Sequence, residues 1–202
     1  MTEQTIQHLS QVDRTLGRLI AQVGPCQLRP RVRRSPYETL VRSVVYQQLN
    51  GTAAATILGR VKALYRPRRF PRPQDLLDTP DEKLRAAGLS RAKTAAIKDI
   101  AVKTLEGVVP GSRQIAGLSN EEIVQRLTVV RGVGPWTVEM LLIFTLGRPD
   151  VLPVTDYGVR KGFAQVYGWK ELPTPKELAE FGERWRPHRS TAAWYFWRAL
   201  EL

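Results

Sequence analysis

The chain has 202 residues, enough for one compact unit or two small lobes, and its net charge of +12 with an isoelectric point near 10.3 calls for a polyanionic partner. Basicity alone would also suit a ribosomal or anionic-membrane protein, but no apolar run approaches a membrane span and no signal peptide precedes the first helix, so no membrane partner and a cytoplasmic location are expected. The single cysteine, Cys26, leaves no disulfide framework or four-cysteine iron–sulfur cluster within the chain, and two histidines without a Cys/His cluster argue against zinc.

Strand-like alternation is scarce, and the chain punctuates as helices throughout. Ile6, Leu9, Val12, Leu16, Leu19, Ile20 and Val23 recur at helical spacing and predict one amphipathic helix ending at Gly24-Pro25. The basic connector from Arg29 to Arg34 reads as a solvated loop or a nucleic-acid contact. Pro36 then opens a helix carrying Leu40, Val41, Val44 and Val45. That helix breaks near Gln47-Gln48-Leu49-Asn50-Gly51, and another follows through Ala54, Ile57, Leu58, Val61 and Leu64. The corner between them presents Gln47, Gln48 and Leu49, the leucine either tucked into the core or offered to a partner.

Arginine and proline fill the surface crossover from Arg66 to Pro73. Short helical pieces around Asp75 to Leu77 and Pro80 to Ala86 end at Gly88. Ser90 caps a longer helix through Ala95, Ile97, Ile100, Ala101 and Leu105. Ser119-Asn120-Glu121-Glu122 matches a capping box that starts the helix through Ile123 and Leu127.

That helix leads into Leu127-Thr128-Val129-Val130-Arg131-Gly132-Val133-Gly134-Pro135-Trp136-Thr137. Gly132 and Gly134 leave the turn nearly bare of side chain, and Pro135 presets φ for a helix running to about Leu146. Exposed N–H groups and the positive end of the helix dipole make Gly134 to Trp136 a seat for a phosphate oxygen. A tight helix–helix connection would share the same glycines, but Leu127, Val129, Val130 and Val133 anchor the turn, and Val138, Leu141, Leu142 and Leu146 form a stripe after it. Beyond the Gly/Pro-rich stretch 147–155 comes Asp156, followed by helices through Val159, Phe163 and Val166, from about Pro175 to Trp185, and from about Ser190 to Leu200.

The hairpin, the Gly/Pro-rich loop and the aspartate together resemble the helix-hairpin-helix DNA glycosylases, over nearly the whole chain from Ser35 onward. The Gln-Gln-Leu corner and the segment Trp185 to Trp197 are similar to the AlkA-like branch, which acts on 3-methyladenine. The resemblance implies an all-α fold of two helical lobes with an active-site cleft between them. Lobe A would span about 36–148 with the hairpin at 127–146, and lobe B about 1–35 plus 149–202. The N-terminal β-rich domain of AlkA has no expected counterpart.

The resemblance also distributes roles. Asp156 would be the catalytic carboxylate, because breaking a base–deoxyribose bond makes the sugar positive and a fixed carboxylate stabilises that charge. A helix N-cap is the other reading of Asp156, and the two are compatible. Leu49 beside Gln48 would be the wedge that fills the hole left by a flipped nucleotide. Gly132, Gly134, Pro135, Thr137 and Lys161 would meet the DNA backbone. The carbonyls of Thr128, Val130 and Val133 would hold a monovalent cation, Na⁺ or K⁺, with no other cofactor required.

Bifunctional members of the superfamily carry a lysine nucleophile where this chain has Trp136, so a monofunctional enzyme is expected. Trp136, Tyr157 and Trp197 would line a base pocket suited by cation–π attraction to positively charged 3-methyladenine and 7-methylguanine. Met140 stands where the family has another aromatic and predicts a wider pocket, while Trp185, Trp194 and Phe196 read as core. The expected function is excision of alkylated purines from double-stranded DNA by a monomer. The alternatives are another damaged base (hypoxanthine, uracil or an oxidised purine) or a non-catalytic hairpin module.

Overall fold

The structure, a computed structural model, describes residues 3–31 and 33–202; Met1, Thr2 and Val32, the last of them in the basic connector, lie outside it. Among the described residues every regular element is helical, as the scarcity of alternation predicts. No helix among them is long and apolar enough to cross a membrane. The chain divides into two compact units, one formed by Val32–Leu141 and the other by Met1–Arg31 with Leu142–Leu202.

The first of these units holds α3 (Pro36–Tyr46), α4 (Gly51–Ala63), α5 (Pro73–Asp78), α6 (Asp81–Ala86), α7 (Arg91–Leu105), α8 (Ser112–Ala116), α9 (Asn120–Leu127) and α10 (Pro135–Leu141). The helix starts are written in short polar side chains. Ser35 Oγ accepts the N–H of Glu38, Asn50 Oδ1 that of Ala53, and Ser90 Oγ that of Lys93. Ser119 and Glu122 form the expected capping box. Helix α8 has too few residues for a period to show, and only Ile115 anchors it in the core. Leu40, Val41, Val44 and Val45 of α3 are buried, as are Ile97, Ile100 and Ala101 of α7, and α3 and α5 both pack on α7. Leu64 and Leu105, counted with the apolar residues of their helices, and Val129, expected to anchor the hairpin, are exposed instead; each lies at or just beyond a helix end, where the stripe has turned away from the core.

The second unit holds α1 (Glu3–Val12), α2 (Arg14–Val23), α11 (Tyr157–Tyr167), α12 (Pro175–Gly182) and α13 (Arg189–Ala199), with a 3₁₀ turn at Glu183–Trp185. The single first helix expected from periodicity is two, broken at Asp13. Asp13 Oδ1 accepts the N–H groups of Thr15 and Leu16 and so caps α2, while Oδ2 accepts the Tyr167 hydroxyl (2.6 Å) and the Trp185 indole N–H (2.9 Å). A carboxylate serving four donors in a buried position fixes α1 and α2 against the aromatic core built by Phe163, Trp185 and Phe196. Burial and the bond to Asp13 push the Tyr167 hydroxyl well above the usual tyrosine range, keeping it a donor.

The division between units falls at Leu141/Leu142, inside the second hairpin helix, whereas the sequence reading placed it at the Gly147-Arg148-Pro149 loop. Local chemistry accounts for the difference. After Leu141 the backbone widens into a π-helical stretch, Leu142–Leu146. The carbonyl of Phe144 there accepts the N–H of Arg31 at 2.8 Å, and the carbonyl of Leu142 accepts that of Arg148 at 2.9 Å. The Phe144 ring lies 5.5 Å from that of Trp197, so this stretch takes its partners from the second unit.

Candidate active site

In the hairpin, Leu127, Val130 and Val133 are buried, and the N–H of Val133 closes on the carbonyl of Val130 at 3.1 Å. Gly132 has φ +76, and a Cβ there would stand 2.9 Å from that of Ala96, so both conformation and space demand glycine. Gly134 is different: a Cβ on it would meet nothing within 4 Å. Pro135 begins α10, and Thr137 is buried with its hydroxyl 3.5 Å from Gln47 Nε2.

The corner after α3 is tightly held. Gln48 sits at φ +57, a strained conformation for a residue with a Cβ, and Leu49 beside it is 39% exposed. Gln47 Nε2 donates to the carbonyl of Gly132 at 3.0 Å, tying the corner to the hairpin. Ser43, Tyr46, Gln47, Gln48, Trp136, Thr137 and Met140 line a pocket of about 400 Å³ in this unit. Gln48, Trp136 and Met140 are expected at the site and Gln47 on the corner beside it; Tyr46 is not, because a single aromatic at a helix end carries no distinctive spacing.

In the other unit Asp156 caps α11. It is 9% exposed, and its Oδ1 accepts the N–H of Val159 and the indole N–H of Trp197, both at 2.8 Å. Trp197, expected in the base pocket, gives its N–H to the acid and sets its ring beside that of Phe144, an exposed aromatic with no distinctive spacing in the sequence. Gly158 keeps this pair close, since a Cβ there would come within 2.9 Å of Trp197 Cδ1 and 3.1 Å of Asp156 Oδ1.

The loop into Asp156 is fixed from α13, the helix that carries Trp197. Arg189 pairs with Asp150 at 2.7 Å, and Ser190 Oγ donates to the carbonyl of Arg148 and accepts the N–H of Val151. One helix therefore orients both the approach to the acid and the acid itself. A buried carboxylate held by a backbone N–H, an indole N–H and the positive end of a helix has one fixed direction, which suits a task of stabilising positive charge nearby.

With this geometry in view, comparison with known proteins is decisive: the model of the HhH-GPD superfamily of base excision DNA repair proteins matches residues 41–187. The chain belongs to that superfamily. DNA-3-methyladenine glycosylase 1 of Schizosaccharomyces pombe is 39% identical over 96% of this chain and 86% of its own. The structure of the Schizosaccharomyces pombe 3-methyladenine DNA glycosylase in complex with abasic DNA superposes with a TM-score of 0.88, covering 98% of this chain and 97% of that one. A DNA-3-methyladenine glycosidase structure from Bacillus halodurans, 34% identical, covers 96% of this chain and 88% of its own with a TM-score of 0.86. DNA-3-methyladenine glycosylase 2 of Escherichia coli is 29% identical over 80% of this chain and 56% of its own length.

Tyr157, 64% exposed, opens α11 directly after the acid, and Lys161 is exposed one turn further on. The glycine at 134 yields a prediction, because the residue before a proline favours extended backbone that valine adopts readily and nothing in the protein crowds the position. Gly134→Val should unfold at the parent's temperature yet bind duplex DNA about tenfold more weakly, roughly 1.4 kcal/mol. Fluorescence anisotropy at one fixed salt concentration checks it; unchanged affinity would remove the hairpin from the phosphate contacts.

Proposed function

We propose that this protein is a monofunctional DNA glycosylase that flips alkylated purines of the 3-methyladenine and 7-methylguanine type out of double-stranded DNA and hydrolyses their glycosidic bonds in base excision repair. The observation that carries the proposal is Asp156, buried, fixed by Val159 and Trp197, and placed after a helix-hairpin-helix in a member of a base excision family. The named relatives support the lesion class, since they are glycosylases of 3-methyladenine.

In this reading the hairpin holds the backbone with the N–H groups of Gly134 and Trp136, and the carbonyls of Thr128, Val130 and Val133 would hold a monovalent cation that adds positive charge for a phosphate. Lys161 adds a phosphate contact. Leu49 enters the vacated stack, and Trp136 and Met140 receive the base in the pocket near Gln47 and Gln48. As the bond between C1′ and the purine nitrogen breaks, its electron pair leaves with the base. A cationic N-alkylpurine thereby departs neutral, and positive charge develops on the sugar. Asp156 stabilises that charge, orients the water whose oxygen attacks C1′ and accepts the proton that this water gives up.

Base release measured on duplexes that each carry one modified base, 3-methyladenine, 7-methylguanine, hypoxanthine, uracil or an oxidised purine, tests the function. Release confined to the neutral bases would replace the substrate class, and no release at all would leave only DNA binding. Because Trp136 stands where bifunctional relatives keep a lysine, borohydride should trap no covalent enzyme–DNA adduct.

Two further variants separate wedge from pocket. Leu49→Ala should slow release of several lesions by a similar factor, because the hole that leucine fills does not depend on which base has left. Trp136→Ala should cost cationic methylpurines about 1 kcal/mol more than neutral hypoxanthine, the scale of a partly desolvated cation–π contact. Single-turnover rates at fixed salt give the comparison, and equal losses on both base types would reduce Trp136 to packing.

A further inference from the structure

Helix α7 presents Lys93, Ala96 and Asp99 at i, i+3 and i+6, along one face. Lys93 Nζ donates to the carbonyls of Val45 and Gln47, at 2.8 and 2.7 Å, where α3 ends and its carbonyls lack helical partners. A cation also complements the negative end of that helix. Loss of water around the Lys93 ammonium pulls it below the usual lysine range. The next residues are the strained Gln48 and the exposed Leu49, so the corner departs from the peptide that Lys93 holds.

Further along the same face, the Cβ of Ala96 lies against Gly132, and Asp99 Oδ2 accepts the N–H of Arg131 at 2.7 Å. Gln47 closes the frame by donating to Gly132. The corner and the hairpin are thus each fastened to α7 and to each other.

We infer that α7 is a register platform for base flipping, on which Lys93 and Asp99 are positioning residues that set the depth of Leu49 relative to the phosphate grip. The inference rests on the proposed glycosylase function, which makes Leu49 the wedge. The grip fixes the duplex, and successive bases are only about 3.4 Å apart, so a wedge displaced by a fraction of that spacing meets a neighbouring base instead of the hole.

The test compares the parent, Lys93→Met, Leu49→Ala and the double variant on a duplex with one 7-methylguanine and a neighbouring 2-aminopurine that brightens on unstacking. Lys93→Met should lower both the saturated single-turnover rate and the brightening about tenfold while duplex affinity stays within twofold. In the Leu49→Ala background the same change should cost less than twofold, because Lys93 acts through Leu49. Lys93→Arg, which keeps a cation with several donors, should recover most of both signals. Asp99→Ala should act chiefly on the half-saturating enzyme concentration, and Lys93→Met chiefly on the saturated rate. Multiplying losses in the double variant, or an arginine variant as impaired as the methionine one, overturn the platform alone. A parent that releases no base overturns the glycosylase function and the platform with it.

Discussion

Asp156→Asn is expected to fold and to bind duplex DNA like the parent while releasing alkylated bases about 10²–10³-fold more slowly, roughly 2.7–4 kcal/mol in the barrier. The amide oxygen of asparagine can accept from both Val159 and Trp197, and asparagine caps helices as well as aspartate does, so α11 keeps its start. What disappears is the negative charge, which has its value only when the sugar turns positive. Trp197→Phe makes the complementary change: the charge stays, the ring stays beside Phe144, and one of the donors that aim the carboxylate is lost. Its release rate should fall between those of the parent and Asp156→Asn. Single-turnover rates with enzyme in excess decide both, and an asparagine variant as fast as the parent would falsify the catalytic role and leave Asp156 a helix cap.

Much of this site is legible in the sequence because backbone geometry selects particular residues there. Gly132 at a positive φ, Pro135 opening a helix, and Ser35, Asn50, Ser90, Ser119 and Asp156 at helix starts are all local requirements, and a local requirement leaves a local signal. What stays hidden depends on where a side chain's polar atom points after distant segments meet. Asp13 looks like a polar residue on the wet face of one long helix until Tyr167 and Trp185 arrive to use its second oxygen. The indole N–H of Trp197, which periodicity cannot aim, holds the acid. Lys93 and Asp99 pass for ordinary charges on a helix surface for the same reason; their partners are backbone groups far along the chain.

Gly162→Ala should destabilise the protein by about 3 kcal/mol or more, the upper range for forcing a group into a filled interior. Helix propensity argues for the opposite sign, since alanine within a helix is worth up to about 1 kcal/mol over glycine. Space decides the outcome. A Cβ on Gly162 would lie 2.0 Å from the carbonyl oxygen of Phe196 and 2.7 Å from its carbon, so α11 rests directly on the backbone of α13. Backbone cannot swing aside as a side chain can, and displacing α13 would also move Trp197 and the carboxylate it orients. Gly59, inside α4, supplies the control, because a Cβ there meets nothing within 4 Å. Gly59→Ala should therefore stabilise by about 0.4–1 kcal/mol, by propensity and by reduced freedom of the unfolded chain. Urea unfolding of the two variants beside the parent measures both signs. If Gly162→Ala raised the midpoint as Gly59→Ala does, α11 and α13 would have room between them, and the close approach that sets Trp197 against Asp156 would be wrong.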